Sequence, residues 1–126
     1  MAKILVVDDS LVARMCHKSC IPQDEGHEIA EASDGPSALA TYRTMLPDVT
    51  FLDLTMPGMS GIEVLAEIKR DFPDAVVIIC TADIQKQSLE KVTQLGAFGV
   101  IKKPAGKEAM LMELRRALGA AEKADE

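Results

Sequence analysis

Aromatic residues are scarce in this chain: its 126 residues include no tryptophan, one tyrosine (Tyr42) and three phenylalanines. That removes most of the stacking platforms on which single-stranded nucleic acid or a flavin ring would rest. Positive charge is also in deficit, with 14 lysines and arginines against 20 acids and a formal charge of −6. Such a surface repels a phosphate backbone, so direct nucleic-acid binding is not expected. Cysteines number three, and an odd count without an export signal fits reduced thiols better than a disulfide framework. No apolar run approaches the roughly 18 residues that a bilayer span requires. Met-Ala-Lys leads straight into a strand-like run instead of a signal peptide, so the expected protein is cytoplasmic, with no membrane part.

A metal site of soft ligands is also disfavoured. Cys16 and Cys20 lie four apart on an expected helix beside His17, but a tetrahedral site takes about four ligands. His17 sits about 100° round the helix from Cys16. Both thiols are expected to be small buried hydrophobes, and Met15, Met45, Met110 and Met112 to fill the core.

What is present is a repeated change of hydrophobic period. Short, nearly continuous apolar runs rich in β-branched residues occur at Ile4–Val7, Val49–Leu52, Val76–Cys80 and Phe98–Ile101. Runs of this kind suit strands buried on both faces of a parallel sheet. His27–Ala32 is more polar and fits an edge strand. Helices are expected between them. One runs from the Ser10 cap to about Cys20, the next has Pro36 in its first turn and stops before Pro47, and a third spans Gly61–Asp71. A fourth spans Ile84–Leu95 with Gly96 as a left-handed cap, and the last runs from Lys107 to about Leu118. Strand and helix therefore alternate five times. That order implies right-handed crossovers and an α/β fold: a (βα)5 doubly wound, five-stranded parallel sheet between two helical layers. One domain over 1–120 is expected, with 121–126 as a disordered charged tail.

In a parallel sheet the carboxyl ends of all strands share one edge, where ligands bind. The first strand ends in Asp8 and Asp9, the third in Asp53, the fourth in Thr81 and the fifth in Lys103. Three carboxylates a few ångströms apart repel one another; two unit charges at ~4 Å and an effective dielectric of ~20 give about 4 kcal/mol. A divalent cation cancels that repulsion. Magnesium, which takes oxygen ligands and one or two carboxylates beside a phosphate oxygen, suits the set best. Duller roles exist for each residue. Asp8 with Ser10 could cap the first helix, Asp53 could close a turn, Thr81 could cap the fourth helix, and Lys103 could be a solvated lysine.

Four motifs carry a resemblance: "VVDDS", "FLDLTMPGMSGIEVL", "CTAD" and "GVIKKP", in this order over residues 3 to 118. Together they are similar to the receiver domain of response regulators, in its single-domain CheY-like form, whose flavodoxin-like sheet has strand order 2-1-3-4-5. The resemblance implies that Asp53 is the phosphoacceptor in a two-component phosphorelay, attacking a phosphohistidine or small phosphodonor. Asp8, Asp9, Asp53 and the backbone carbonyl of Thr55 would hold Mg²⁺, with Mn²⁺ a possible substitute. Thr81 and Lys103 would bond the phosphoryl oxygens, and Thr55 and Asp83 would tune hydrolysis. The Lys103–Pro104 bond is commonly cis in this family. The implied partners are a histidine kinase or phosphotransfer protein and a downstream protein target. A monomer is expected, with phosphorylation-dependent dimerisation left open. The chain would be a signalling switch and not an enzyme beyond its own phosphoryl chemistry.

Two departures stand out. Val100 occupies the place, three before the lysine, where the family usually carries a switching aromatic; Phe98, on the same expected strand face, could partly replace it. Ala105 follows Pro104 where an aromatic is frequent. Other functions fit less well. A haloacid-dehalogenase-type phosphatase wants a second Asp where Thr55 stands, and a flavodoxin-like electron carrier wants a Ser/Thr-rich loop and aromatics. A pseudo-receiver usually lacks some of the acids or the lysine. "TADIQ" points weakly to chemotaxis. A module of a larger regulator, a relay intermediate and a phosphate sink remain alternatives.

Overall fold

The computed structural model describes residues 2–83 and 85–124. Its strands are β1 (Lys3–Val7), β2 (Glu28–Ala32), β3 (Val49–Leu52), β4 (Val77–Thr81) and β5 (Gly99–Lys102). The helices are α1 (Leu11–Ser19), α2 (Gly35–Met45), α3 (Gly61–Asp71), α4 (Lys86–Gln94) and α5 (Lys107–Ala124). All strand pairs are parallel, in the order β2-β1-β3-β4-β5. The expected doubly wound architecture is therefore present, with the polar strand β2 at one edge.

Strand alternation divides the core into two layers. Leu5, Val7, Leu52 and Ile79 pack against α2, α3 and Val92 of α4. Ile4, Val6, Phe51, Ile78 and Cys80 face the other way, onto Met110, Leu114 and Ala117 of α5 and the chain end of α1. Register brings the strand ends level: Val7 lies beside both Ala32 and Leu52, and Leu52 beside Ile79. Helix starts follow the local chemistry of orphan N–H groups. The side chains of Ser10, Asp34 and Ser60 accept from the N–H groups of Ala13, Ser37 and Glu63. Gly96 adopts φ +96° just after α4, as the left-handed cap requires.

Several local expectations need correction. Cys16 is exposed and Cys20 only half-buried. Consecutive helical positions point about 100° apart, and the inward position on α1 belongs to His17, which is buried and meets Phe51 at a ring distance of 6.2 Å. Met15 and Met112 are exposed, whereas Met110 belongs to the core layer under α5 and Met45 packs against the opposite layer. A 3₁₀ turn at Gln23–Glu25 follows α1. The expected start of the fourth helix, Ile84, lies outside the described residues, and α4 begins at Lys86. The last helix runs beyond Leu118 to Ala124, taking in 121–124 of the expected tail. Alanines, glutamate and lysine are strong helix formers, and one internal glycine, Gly119, costs only about 1 kcal/mol. Residues 125 and 126 lie outside the described residues. No helix among the described residues is long and apolar enough to cross a membrane.

Candidate functional site

Three backbone hydrogen bonds carry the sheet register one residue beyond the strands. Asp8 N–H donates to the Ala32 carbonyl (3.1 Å), Asp53 N–H to Val7 (3.0 Å) and Lys103 N–H to Thr81 (2.9 Å). The first residues past β1, β3 and β5 are thereby held at one edge. Asp8, Asp9 and Asp53 each offer a carboxylate oxygen, and these oxygens lie within 4.8 Å of one another. Asp8 and Asp53 are almost wholly buried, at 1% and 5% exposed, while Asp9 faces solvent.

Lys103 closes the cluster. Its Nζ lies 2.5 Å from Asp8 Oδ2 and 3.6 Å from Asp53 Oδ1. Burial opposes its charge, but the bond to Asp8 and the fields of Asp53 and Asp8 outweigh that and raise its pKa above the usual lysine value. Lys102 is exposed, as strand alternation requires. The Lys103–Pro104 bond is cis. Asp53 is pushed above the ordinary carboxylate value chiefly by burial, with Asp8 and Asp9 adding to the shift and Lys103 and the Thr55 amide opposing it. A buried carboxylate among others of its kind favours whatever brings positive charge.

Thr81 is fully buried at the end of β4. Its Oγ1 accepts from the Asp83 N–H at 3.0 Å, so it shapes the β4–α4 connection and does not cap the helix itself. Asp83 is tied down in turn: its Oδ1 accepts from Gln85 N–H and its Oδ2 from the Ser88 hydroxyl (2.9 Å). Thr55 is exposed in the loop after Asp53. That loop is anchored by buried Met56 and turns at Gly58, where φ is +77°. At its far end α3 starts directly against the Asp53 backbone. A Cβ on Gly61 would collide with the Asp53 carbonyl oxygen and come within 2.6 Å of Leu54 Cα.

The two aromatic departures resolve differently. A Cβ on Gly99 would meet Glu113 of α5, so Val100, next along β5, faces away from α5 and is 41% exposed. Phe98 does not share that face. It precedes the strand, packs into the α5-side core and lies under the Arg116 guanidinium, whose Cζ is 5.1 Å from the Phe98 ring centroid. Beside Ala105 lies a mostly apolar, partly open cavity of about 420 Å³, lined by Ala13, Cys16, His17, Lys103 and Pro104 among others.

Sequence reasoning missed two neighbours of the site. Arg14, six residues after Asp8, turns back to bond its carbonyl at 2.7 Å. His17, buried on the next turn, has its pKa lowered by burial and Lys103, with Asp8 opposing. An arginine and a histidine three apart on the first helix were the available signal.

This is an open doubly wound α/β domain whose carboxyl edge gathers hard oxygen donors suited to a divalent cation, one buried hydroxyl and one lysine. The family model described as the response regulator receiver domain matches residues 4–115, and the chain belongs to that family. It is 36% identical over 117 residues to the chemotaxis protein CheY of Listeria monocytogenes, covering 93% of this chain and 98% of that one. Chemotaxis protein CheY4 of Vibrio cholerae superposes with a TM-score of 0.85 at 32% identity, over 94% of this chain and 99% of the other. A CheY-like receiver domain protein of Methanospirillum hungatei shares the fold at TM-score 0.92 and 24% identity, over 98% of each chain.

Proposed function

We propose that Asp53 is the phosphoacceptor of a phosphorylation-driven binding switch. The observation that carries this is the pairing of a buried Asp53 carboxylate with Lys103 at 3.6 Å inside a cluster of three acids within 4.8 Å. A bare anionic crevice would repel a phosphodonor. One that accepts a divalent cation and keeps an ammonium at hand admits it.

The donor set fits Mg²⁺, with Mn²⁺ as a substitute: Asp8, Asp9 and Asp53 supply hard oxygens, and the Thr55 carbonyl would complete the protein ligands. When bound, the ion neutralises the acidic cluster and offsets the charge of an incoming phosphoryl group. The chain's own residues do the rest. An Asp53 oxygen attacks phosphorus, and the bond from phosphorus to the donor, a phosphohistidine nitrogen or the acyl oxygen of a small phosphodonor, breaks with its electron pair staying on the donor. Lys103 pairs with one phosphoryl oxygen and Thr81 with another, for which Thr81 gives up its present bond to Asp83. Water later cleaves the acyl phosphate to aspartate and inorganic phosphate, at a rate set by Thr55 and Asp83 beside it.

The partners are a histidine kinase or phosphotransfer protein upstream and a protein target downstream, in the cytoplasm. Leu11, Val12 and Met15 of α1, all more than half exposed and just past Asp8 and Asp9, give the upstream partner an apolar footing. Similarity to CheY chains over nearly their whole length supports a stand-alone role in chemotaxis-type signalling. Intact-mass measurement with acetyl phosphate and Mg²⁺ tests the core of this: the wild-type protein gains one phosphoryl group, and Asp53→Asn gains none. Equal labelling of both, or of neither, refutes it.

A further inference from the structure

Asp8 leaves none of its polar atoms idle. Its N–H donates to Ala32, Oδ1 accepts from the Ser10 N–H (3.0 Å), and Oδ2 takes the Lys103 ammonium. The remaining atom, the backbone carbonyl, accepts from Arg14 Nη1 at 2.7 Å. That carbonyl belongs to a rigid peptide plane shared with the N–H of Asp9. Fixing its direction fixes how the chain enters Asp9, the exposed acid, whose own N–H and carboxylate make no hydrogen bond to the described residues.

Arg14 is well placed for this. Its side chain is 14% exposed, and its Nε donates to Glu31 Oε1 at 3.0 Å, while Lys18 holds the other Glu31 oxygen at 3.0 Å. Glu31 lies on β2, in register with Val6 of β1. The guanidinium therefore spans from the edge strand to the turn that carries two of the three acids, using two donors of one planar fork.

We propose that Arg14 is a positioning residue for the cation site, setting the Asp8–Asp9 peptide so that both carboxylates face the same ion. This rests on the Mg²⁺-dependent reading of Asp53 given above. Charge and geometry make opposite demands here. As a mere cation near three carboxylates, Arg14 competes with Mg²⁺, and its removal tightens metal binding. As a positioning residue, it loosens binding when lost. Lysine at 14 keeps the charge but cannot reach both Glu31 and the Asp8 carbonyl as a fork.

The test is Mg²⁺ affinity, by calorimetry and by titration of amide resonances, for wild type, Arg14→Met, Arg14→Lys and Glu31→Gln, each first shown to be folded by circular dichroism. Arg14→Met and Arg14→Lys weaken Mg²⁺ binding by about tenfold or more, the scale seen when a group that orients metal ligands is removed. Glu31→Gln has a smaller effect, because the Asp8 bond survives. With acetyl phosphate, the Mg²⁺ needed for half-maximal phosphorylation rises by the same factor, while the rate at saturating Mg²⁺ stays within about twofold of wild type. Wild-type or tighter affinity in either Arg14 variant overturns the proposal and leaves Asp53 as acceptor untouched; should Arg14→Met not fold, Arg14→Lys decides. Absence of Mg²⁺ binding by the wild-type protein overturns the underlying reading, and the role of Arg14 with it.

Discussion

Replacing Asp53 by asparagine should make the metal-free protein more stable, although it removes the proposed phosphoacceptor. Two unit charges 4.8 Å apart, the outer limit of the acid cluster, repel by about 3.5 kcal/mol at an effective dielectric of about 20. Asp53 faces two such neighbours, about 7 kcal/mol in all, while Lys103 at 3.6 Å attracts it by about 4.6 on the same scale. The difference is about 2.4 kcal/mol of net repulsion. Asp9 is exposed and its share is screened by solvent to half or less, which brings the charge terms close to balance; what stands against the buried carboxylate is then chiefly its lost hydration, the first cause of its raised pKa, a cost of about 1–2 kcal/mol. At this chain length that is a rise in Tm of about 4–8 °C, read by circular dichroism melts in chelator at pH 7. The sign with pH follows from linkage. Asp53 is raised above the ordinary carboxylate value, first by burial, so its charge costs the folded state stability at neutral pH. As pH falls through the raised value, the wild-type residue binds a proton and the variant's advantage disappears. Mg²⁺ also erases the advantage, because the amide is the poorer ligand. A variant that melts at or below wild type in chelator at pH 7, or whose gain persists undiminished in acid, refutes the reasoning.

Substituting Thr55 or Asp83 by alanine should change the decay rate of the acyl phosphate and leave Mg²⁺ affinity within about twofold, since neither contributes a side-chain ligand; identical decay in phosphate-release assays counts against it. Ala105→Phe should occupy part of the 420 Å³ cavity beside Lys103 and raise stability by about 1 kcal/mol in urea titrations, less than full burial of a ring because the cavity is open; a loss would show that the ring clashes. Phe98→Ala should cost about 2 kcal/mol in the same assay, removing a half-buried ring and its contact with Arg116; unchanged stability would mean that Phe98 is not part of the core. His17, held below its ordinary value of 6.5 by burial and Lys103 against the pull of Asp8, should make the protein lose stability as pH falls from that value towards the lowered one, and His17→Gln should flatten that slope; an unaltered slope assigns it to other groups.

Which parts of this molecule could be read in advance follows from how local their causes are. β-branched runs, a serine or aspartate before a helix and a glycine after one act within a few residues, so the strands and most helix ends stood within one or two positions of their expected places. The edge on which Asp8, Asp9, Asp53, Thr81 and Lys103 meet followed from topology, because a parallel sheet leaves its carboxyl ends little choice. What failed depended on rotation about an axis or on a partner distant in sequence. Cys16 and Met15 have the composition of core residues, yet His17 takes the inward position on α1. Phe98 and Val100, two apart, share a face on paper, but β5 begins only at Gly99, so strand alternation does not reach back to Phe98.

Arg14 is the strongest case. In the sequence it is one of 14 basic residues, and nothing there ties it to Asp8. Its proposed positioning role rests on two bonds, one to a carbonyl six residues back and one to a carboxylate seventeen residues ahead. Residues that carry chemistry are constrained in type and leave a pattern, whereas those that hold them in place are constrained only by reach and direction. A receiver sequence therefore displays its acids, hydroxyl and lysine openly. The groups that aim them become visible only once the chain has closed on itself and the backbone carbonyls have found their donors.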